Sequence, residues 1–186
     1  MTIGLPNIVT SIRILLIPIL VVVFYLPFES RYLAASLVFS LASITDWLDG
    51  YLARRLDEMT PFGAFLDPVA DKLIVAVALI LLVEVHASAI LAIPALVIVG
   101  REIVVSALRE WMATIGERAN VKVDVTGKIK TTLQMFGIAF MVYHNDFMGL
   151  PVYTIGFVLL VLAAIMTIWS MIVYLRAAWP FIMADQ

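Results

Sequence analysis

The chain has 186 residues, of which 63% are hydrophobic and 14% charged, and its mean hydropathy is +1.07. That length suits one domain, and that composition excludes an ordinary soluble globular protein and predicts an integral membrane protein. The net charge of −2 lacks a basic footprint, so no nucleic-acid partner is expected, and the absence of cysteine excludes disulfides, thiol chemistry and cysteine–zinc sites.

In chain order, residues 1–11 read as a short interfacial helix leading into the first span. It contains Pro6, Asn7 and Thr10, and no basic n-region or cleavage site marks a signal peptide. Arg13 precedes the apolar run ILLIPILVVVFYL, and taken alone it reads as an arginine snorkelling to headgroups. Six transmembrane helices are expected, each near the ~20 apolar residues needed to cross ~30 Å of hydrocarbon. They are placed at about 12–27, 32–53, 69–86, 88–112, 129–144 and 150–175, giving an all-α fold in a single membrane domain. Turn signals separate them: Pro27 to Ser30, Thr60-Pro61, His86-Ala87-Ser88, Gly116 to Asn120, and Asn145-Asp146. With six spans, eleven of the twelve lysines and arginines fall on the side of the termini and only Arg31 on the other. The positive-inside rule then puts both termini on the cytoplasmic side of a bacterial inner membrane.

The junction of the second and third spans, TDWLDGYLARRLDEMTPFGAFLDPVADK, carries four aspartates. Asp46 and Asp49 lie roughly 60° apart on a helical wheel, and Asp67 and Asp71 roughly 40° apart, so each pair shares a face. Carboxylates at the edge of hydrocarbon are costly and face a cavity, a partner or an ion. Divalent cations would relieve their mutual repulsion, and an all-oxygen donor set suits Mg²⁺ or Mn²⁺, with a two-metal site expected. Gly50 and Gly63 permit close backbone approach, and Arg54 could reach a phosphate. Singly, the acids have plainer readings. Asp67-Pro68 is an N-cap followed by proline at the first helical position, and Asp71 could pair with Lys72 or Arg54.

The fourth span ends in GREIVVSALREW, where Arg101 and Arg109 lie about 12 Å apart along the axis. An embedded ion pair of Arg101 with Glu102 is one reading, and an anion pocket is the other. The fifth span opens with GKIKTT, so Lys128, Lys130 and Thr131 lie on the same side as both arginines and would suit a phosphate-bearing substrate. In the sixth span Trp169, Tyr174, Arg176 and Trp179 read as an interfacial belt. His86 and His144 read as interfacial residues of the outer loops.

The stretch D46-x2-D49-G50-x2-A53-R54-x8-G63-x3-D67-x3-D71 matches the signature of the CDP-alcohol phosphotransferases at all eight fixed positions. The chain also resembles the family's amphipathic lead-in in P6-N7-x2-T10-x2-R13. The resemblance implies an enzyme that moves a phosphatidyl group from CDP-diacylglycerol to an alcohol. It implies metal ligation by Asp46, Asp49, Asp67 and Asp71, with Asp71 as the general base. It implies a CDP-diacylglycerol pocket of Asn7, Thr10, Arg13, Asp49, Gly50, Ala53, Arg54, Gly63 and Asp67, and a homodimer in membrane lipid.

Over TPFGAFLDPVADK, GREIVVSALREWMA and GKIKTTLQM the chain is similar to bacterial members whose acceptor is sn-glycerol 3-phosphate. Arg101, Arg109, Lys128, Lys130 and Thr131 would then bind the acceptor phosphate. Same-family acceptors such as inositol phosphate or serine are the alternative. An ion transporter is a more distant one, since it would place acids near the midplane within an inverted repeat.

Overall fold

Within hydrocarbon, a backbone must satisfy its own polar groups, which an α-helix does inside a single segment. The computed structural model describes residues 5–56, 61–115 and 125–184, with the backbone alone for stretches that include 5–9 and 46–56. Among the described residues there are six α-helices and no β-strand. They are α1 (Leu5–Tyr25), α2 (Arg31–Leu56), α3 (Pro61–His86), α4 (Ala89–Thr114), α5 (Val125–Tyr143) and α6 (Val152–Ala184).

Several boundaries differ from expectation. Among the described residues no separate interfacial helix precedes the first span, because α1 runs unbroken from Leu5. Pro6 stands at its second position, where a missing N–H costs nothing, so nothing interrupts the helix there. Helix α3 begins at Pro61, seven residues before Pro68, which lies inside it. Asp67 is therefore not an N-cap. Pro68 offers no N–H to the carbonyl four residues back, which frees that oxygen beside the acid pair. Helix α6 continues past Arg176 to span 33 residues, about 50 Å of helix, and keeps Pro180 within it.

By length and apolarity, two of the described helices, α4 and α6, can each cross a membrane, while residues 10–25 and 31–45 form shorter apolar helical runs. Charged and polar residues in the sequence of the other helices shorten their apolar stretches. The surface is correspondingly apolar: Leu96 is 71% exposed and Ile90 70%. A lipid-facing shell explains this better than a solvated one. Inside, Leu20, Phe39, Ile74, Ala78, Leu82, Ile98, Met141 and Leu160 form one buried core shared by all six helices.

The closest helix contact is between α5 and α6. A Cβ at Gly137 would lie 2.9 Å from the Leu160 backbone nitrogen, and one at Gly156 would lie 2.8 Å from the Gly137 carbonyl oxygen. Small residues let membrane helices meet backbone to backbone. Gly137→Val is expected to lower stability by about 1–3 kcal/mol through overpacking. Thermal unfolding in detergent checks this, and an unchanged midpoint would show that the crossing yields freely.

Because the helices alternate in direction, the two ends of the bundle differ in chemistry. At one end Tyr25 donates to Glu84, and His86 stacks between His144 and Tyr153 at ring separations of 5.1 and 4.6 Å. Ala87 and His144, at φ 43° and 65°, close α3 and α5 there in the left-handed conformation common at helix ends. The opposite end gathers most of the buried polar side chains, among them Thr10, Arg13, Arg101, Lys130 and Gln134.

Candidate active site

Side chains from five helices, α1, α3, α4, α5 and α6, meet at the polar end. Arg13, two turns into α1, is fully buried. Its Nη1 donates to Asp67 Oδ1 at 3.1 Å and also to Asp71 Oδ1, both on α3. One guanidinium nitrogen thus serves two carboxylates a helical turn apart, as their i,i+4 spacing allows. The snorkelling reading of Arg13 is overturned: the side chain points into the bundle, where a buried cation is tolerated because it is paired. Asp71 takes Arg13 as a partner, while Lys72 turns to α4 and donates to Ser106 Oγ at 2.5 Å.

On α4, Arg101 Nη1 donates to Glu102 Oε1 at 2.6 Å, so the expected ion pair does form. Lys130 of α5 joins it, 3.7 Å from the same Glu102 oxygen. Arg101 Nη2 also donates to Ser170 Oγ on α6 at 3.0 Å, and Arg109 Nη2 to Tyr174 Oη at 2.7 Å. These contacts surround a cavity of about 240 Å³, with Asp71 and Lys72 on one wall and Arg101, Arg109, Lys130 and Thr131 on the others. Arg101 therefore forms the ion pair with Glu102 and also lines the cavity.

Of the cations expected to face an anion, Arg101, Arg109 and Lys130 converge. Lys128 does not: it is exposed and outside the cavity lining, because it lies two residues and about 200° around α5 from Lys130. Thr131 lines the cavity and gives its hydroxyl proton to the Gly127 carbonyl at 2.9 Å. Ser106, Gln134, Ser170 and Tyr174 were not expected in these contacts, and Glu102 was expected only as the partner of Arg101. Gln134 had a legible signal, standing one helical turn beyond Lys130. A second, apolar groove of about 440 Å³ between α2 and α5 shares Thr131 and Met135 with the cavity.

Thr10 is buried beside Arg13 on α1, and Gly63 is half-buried near the start of α3. The backbone puts Asp46, Asp49, Gly50, Ala53 and Arg54 in the last turns of α2, and Asn7 in the first turn of α1. Their side chains lie outside the described residues. Among the described residues no three potential ligands cluster as a metal group. Asp67 and Asp71 keep 42% and 35% of their side chains exposed while bonded to Arg13. Each carboxylate has a second oxygen, so the donor chemistry of this pair fits a hard divalent cation that α2 would help to hold.

Fold and site together define a helical membrane protein with an acid pair and a cationic cavity at one end. The CDP-alcohol phosphatidyltransferase family model matches residues 3–169, and the chain belongs to that family. It is 52% identical to a CDP-diacylglycerol–glycerol-3-phosphate 3-phosphatidyltransferase of Pseudomonas fluorescens, over 98% of this chain and 93% of that one. It is 48% identical to proteins of the same name from Salmonella choleraesuis, over 96% of each chain, and Haemophilus influenzae, over 96% of this chain and 95% of that one.

Proposed function

We propose that this chain transfers the phosphatidyl group of CDP-diacylglycerol to sn-glycerol 3-phosphate, releasing CMP and phosphatidylglycerophosphate. The observation that carries the reading is that Asp71 and the cations Arg101, Arg109 and Lys130 line one cavity. A carboxylate able to take a proton and cations able to hold a phosphate thus face one cavity. Near-full-length identity to relatives carrying that name supports the acceptor.

In this reading Arg101, Arg109 and Lys130 hold the acceptor phosphate, and Thr131 lies beside it. Asp71 takes the proton of the attacking hydroxyl. That oxygen forms a bond to the phosphorus bearing the diacylglycerol, and the bond from that phosphorus to the CMP oxygen breaks, its electron pair leaving with CMP. Asp46, Asp49, Asp67 and Asp71 would hold two Mg²⁺ or Mn²⁺ ions, which when bound supply charge stabilisation to the pyrophosphate. Arg13 holds Asp67 and Asp71 in register. Asn7, Thr10, Gly50, Ala53, Arg54 and Gly63 form the nucleotide side. The apolar groove joined to the cavity through Thr131 and Met135 suits an acyl chain of the donor.

All six helices cross the bilayer in this reading. Eleven of the twelve lysines and arginines then fall on the side of the polar site, which puts site and termini in the cytoplasm. The membrane is the bacterial inner membrane, and the chain works there as a homodimer.

CMP release from CDP-diacylglycerol tests the reading, with glycerol 3-phosphate, inositol phosphate and serine as rival acceptors and with Mg²⁺ or Mn²⁺ supplied or chelated. Metal-dependent release with glycerol 3-phosphate alone is expected. Release with serine instead would replace the proposed acceptor, and no release with any would reject the enzyme reading. Arg109→Ala is expected to raise KM for glycerol 3-phosphate on the order of tenfold to a hundredfold, as loss of a charged hydrogen bond does. Its KM for CDP-diacylglycerol should move far less. Acceptor titration decides, and an unchanged acceptor KM would remove Arg109 from the phosphate pocket.

A further inference from the structure

Arg101 and Arg109 start from α4 positions more than two turns apart, yet their guanidinium carbons lie 5.8 and 5.1 Å from the centre of the same ring, Tyr174 of α6. The hydroxyl of that ring accepts a hydrogen bond from Arg109 Nη2 at 2.7 Å. One turn back on the same face of α6, Ser170 accepts from Arg101 Nη2 at 3.0 Å. Glu102 offsets the charge of Arg101 and Lys130. Among the described residues, Arg109 makes its polar contact with Tyr174.

Two guanidiniums drawn together repel, and the gain from binding one phosphate with both depends on their being held together beforehand. The π-face of an aromatic ring attracts a cation within about 6 Å. Tyr174 meets both arginines in that way and fixes one of them by a hydrogen bond as well. It is not part of the cavity wall, so it acts on a bound phosphate only through the arginines.

We propose that Tyr174, with Ser170 one turn away, is a positioning residue that holds Arg101 and Arg109 convergent for the acceptor phosphate. The proposal rests on the acceptor-pocket reading above. It makes α6 the element that sets affinity for the phosphorylated acceptor, although α6 contributes no side chain to the pocket itself.

The test is a kinetic cycle on the purified full chain, with CMP release followed while glycerol 3-phosphate and CDP-diacylglycerol are titrated separately. Tyr174→Phe keeps the ring and removes the hydroxyl. It is expected to raise KM for glycerol 3-phosphate about threefold to tenfold, with kcat and KM for CDP-diacylglycerol within about twofold. Tyr174→Leu removes the ring too, and its acceptor KM should rise further. In an Arg109→Ala background, Tyr174→Phe should have no added effect, because among the described residues the hydroxyl is bonded to Arg109.

An unchanged acceptor KM in Tyr174→Phe, with Arg109→Ala impaired, overturns the positioning role and leaves the pocket standing. Full additivity of the two substitutions also overturns it. Arg109→Ala with an unchanged acceptor KM sinks the pocket reading itself. Should Tyr174→Leu fail to fold, Tyr174→Phe and the double variant decide alone, with their thermal midpoints expected within a few degrees of the parent.

Discussion

Asp71→Asn is expected to lower kcat by about two to four orders of magnitude, the range that a positioned general base supplies. Asn is nearly isosteric with Asp and can still accept a hydrogen bond from Arg13, so the α1–α3 contact survives and the thermal midpoint should move little. What disappears is a carboxylate on the cavity wall, beside the residues proposed to hold the acceptor. KM for glycerol 3-phosphate should change by less than kcat does, because the phosphate is held by other side chains. Asp71→Glu should recover part of the loss, since the carboxylate returns at a displaced position. Steady-state CMP release measures all three quantities. A kcat within tenfold of the parent would show that the hydroxyl proton leaves by another route, and Asp71 would then be only a ligand or a partner of Arg13.

Arg13→Ala is expected to be the most damaging single change outside the aspartates. Arg13 is fully buried, and its guanidinium compensates two carboxylates at once. Removing one member of a buried ion pair costs about 3–5 kcal/mol, because the charge left behind is uncompensated. Here two like charges are left facing each other. Asp67 and Asp71 are partly exposed, which places the expected loss toward the lower end of that range. Arg13→Lys keeps the charge but not the planar fork, so it should retain more of the fold while still losing turnover. Thermal unfolding in detergent separates the two effects, and CMP release reports the second. If Arg13→Ala unfolds at the parent's midpoint, Arg13 does not support the acid pair. If it also retains full activity, Arg13 has no part in the site.

The helical class, the six long helices and the facing of Asp67 and Asp71 along α3 were legible from residue order, while the separate N-terminal interfacial helix was not found among the described residues. Hydropathy runs identify helices because each satisfies its own backbone in lipid, and the eight-position signature is local enough to read along one stretch. Local rules failed where two of them competed. Asp67-Pro68 has the form of a helix start, yet α3 was already under way from Pro61. Residues 1–11 looked separable from the first span, but from Leu5 onward nothing interrupts the helix, and α1 runs through. Lys128 and Lys130 looked equivalent in composition; one faces the cavity and the other does not, because two residues turn a helix to its opposite side.

The sequence by itself therefore determined that this is an all-helical membrane protein of one phosphotransferase family, with acids and cations gathered at one end. It did so because turns, apolar length and motif spacing act over a few residues. Only the tertiary structure decided which charges meet. Arg13 finds its carboxylates 54 and 58 positions away, and Arg109 finds Tyr174 65 positions away. A buried charge takes whatever partner the helix packing brings within reach, and residue order alone does not specify that packing.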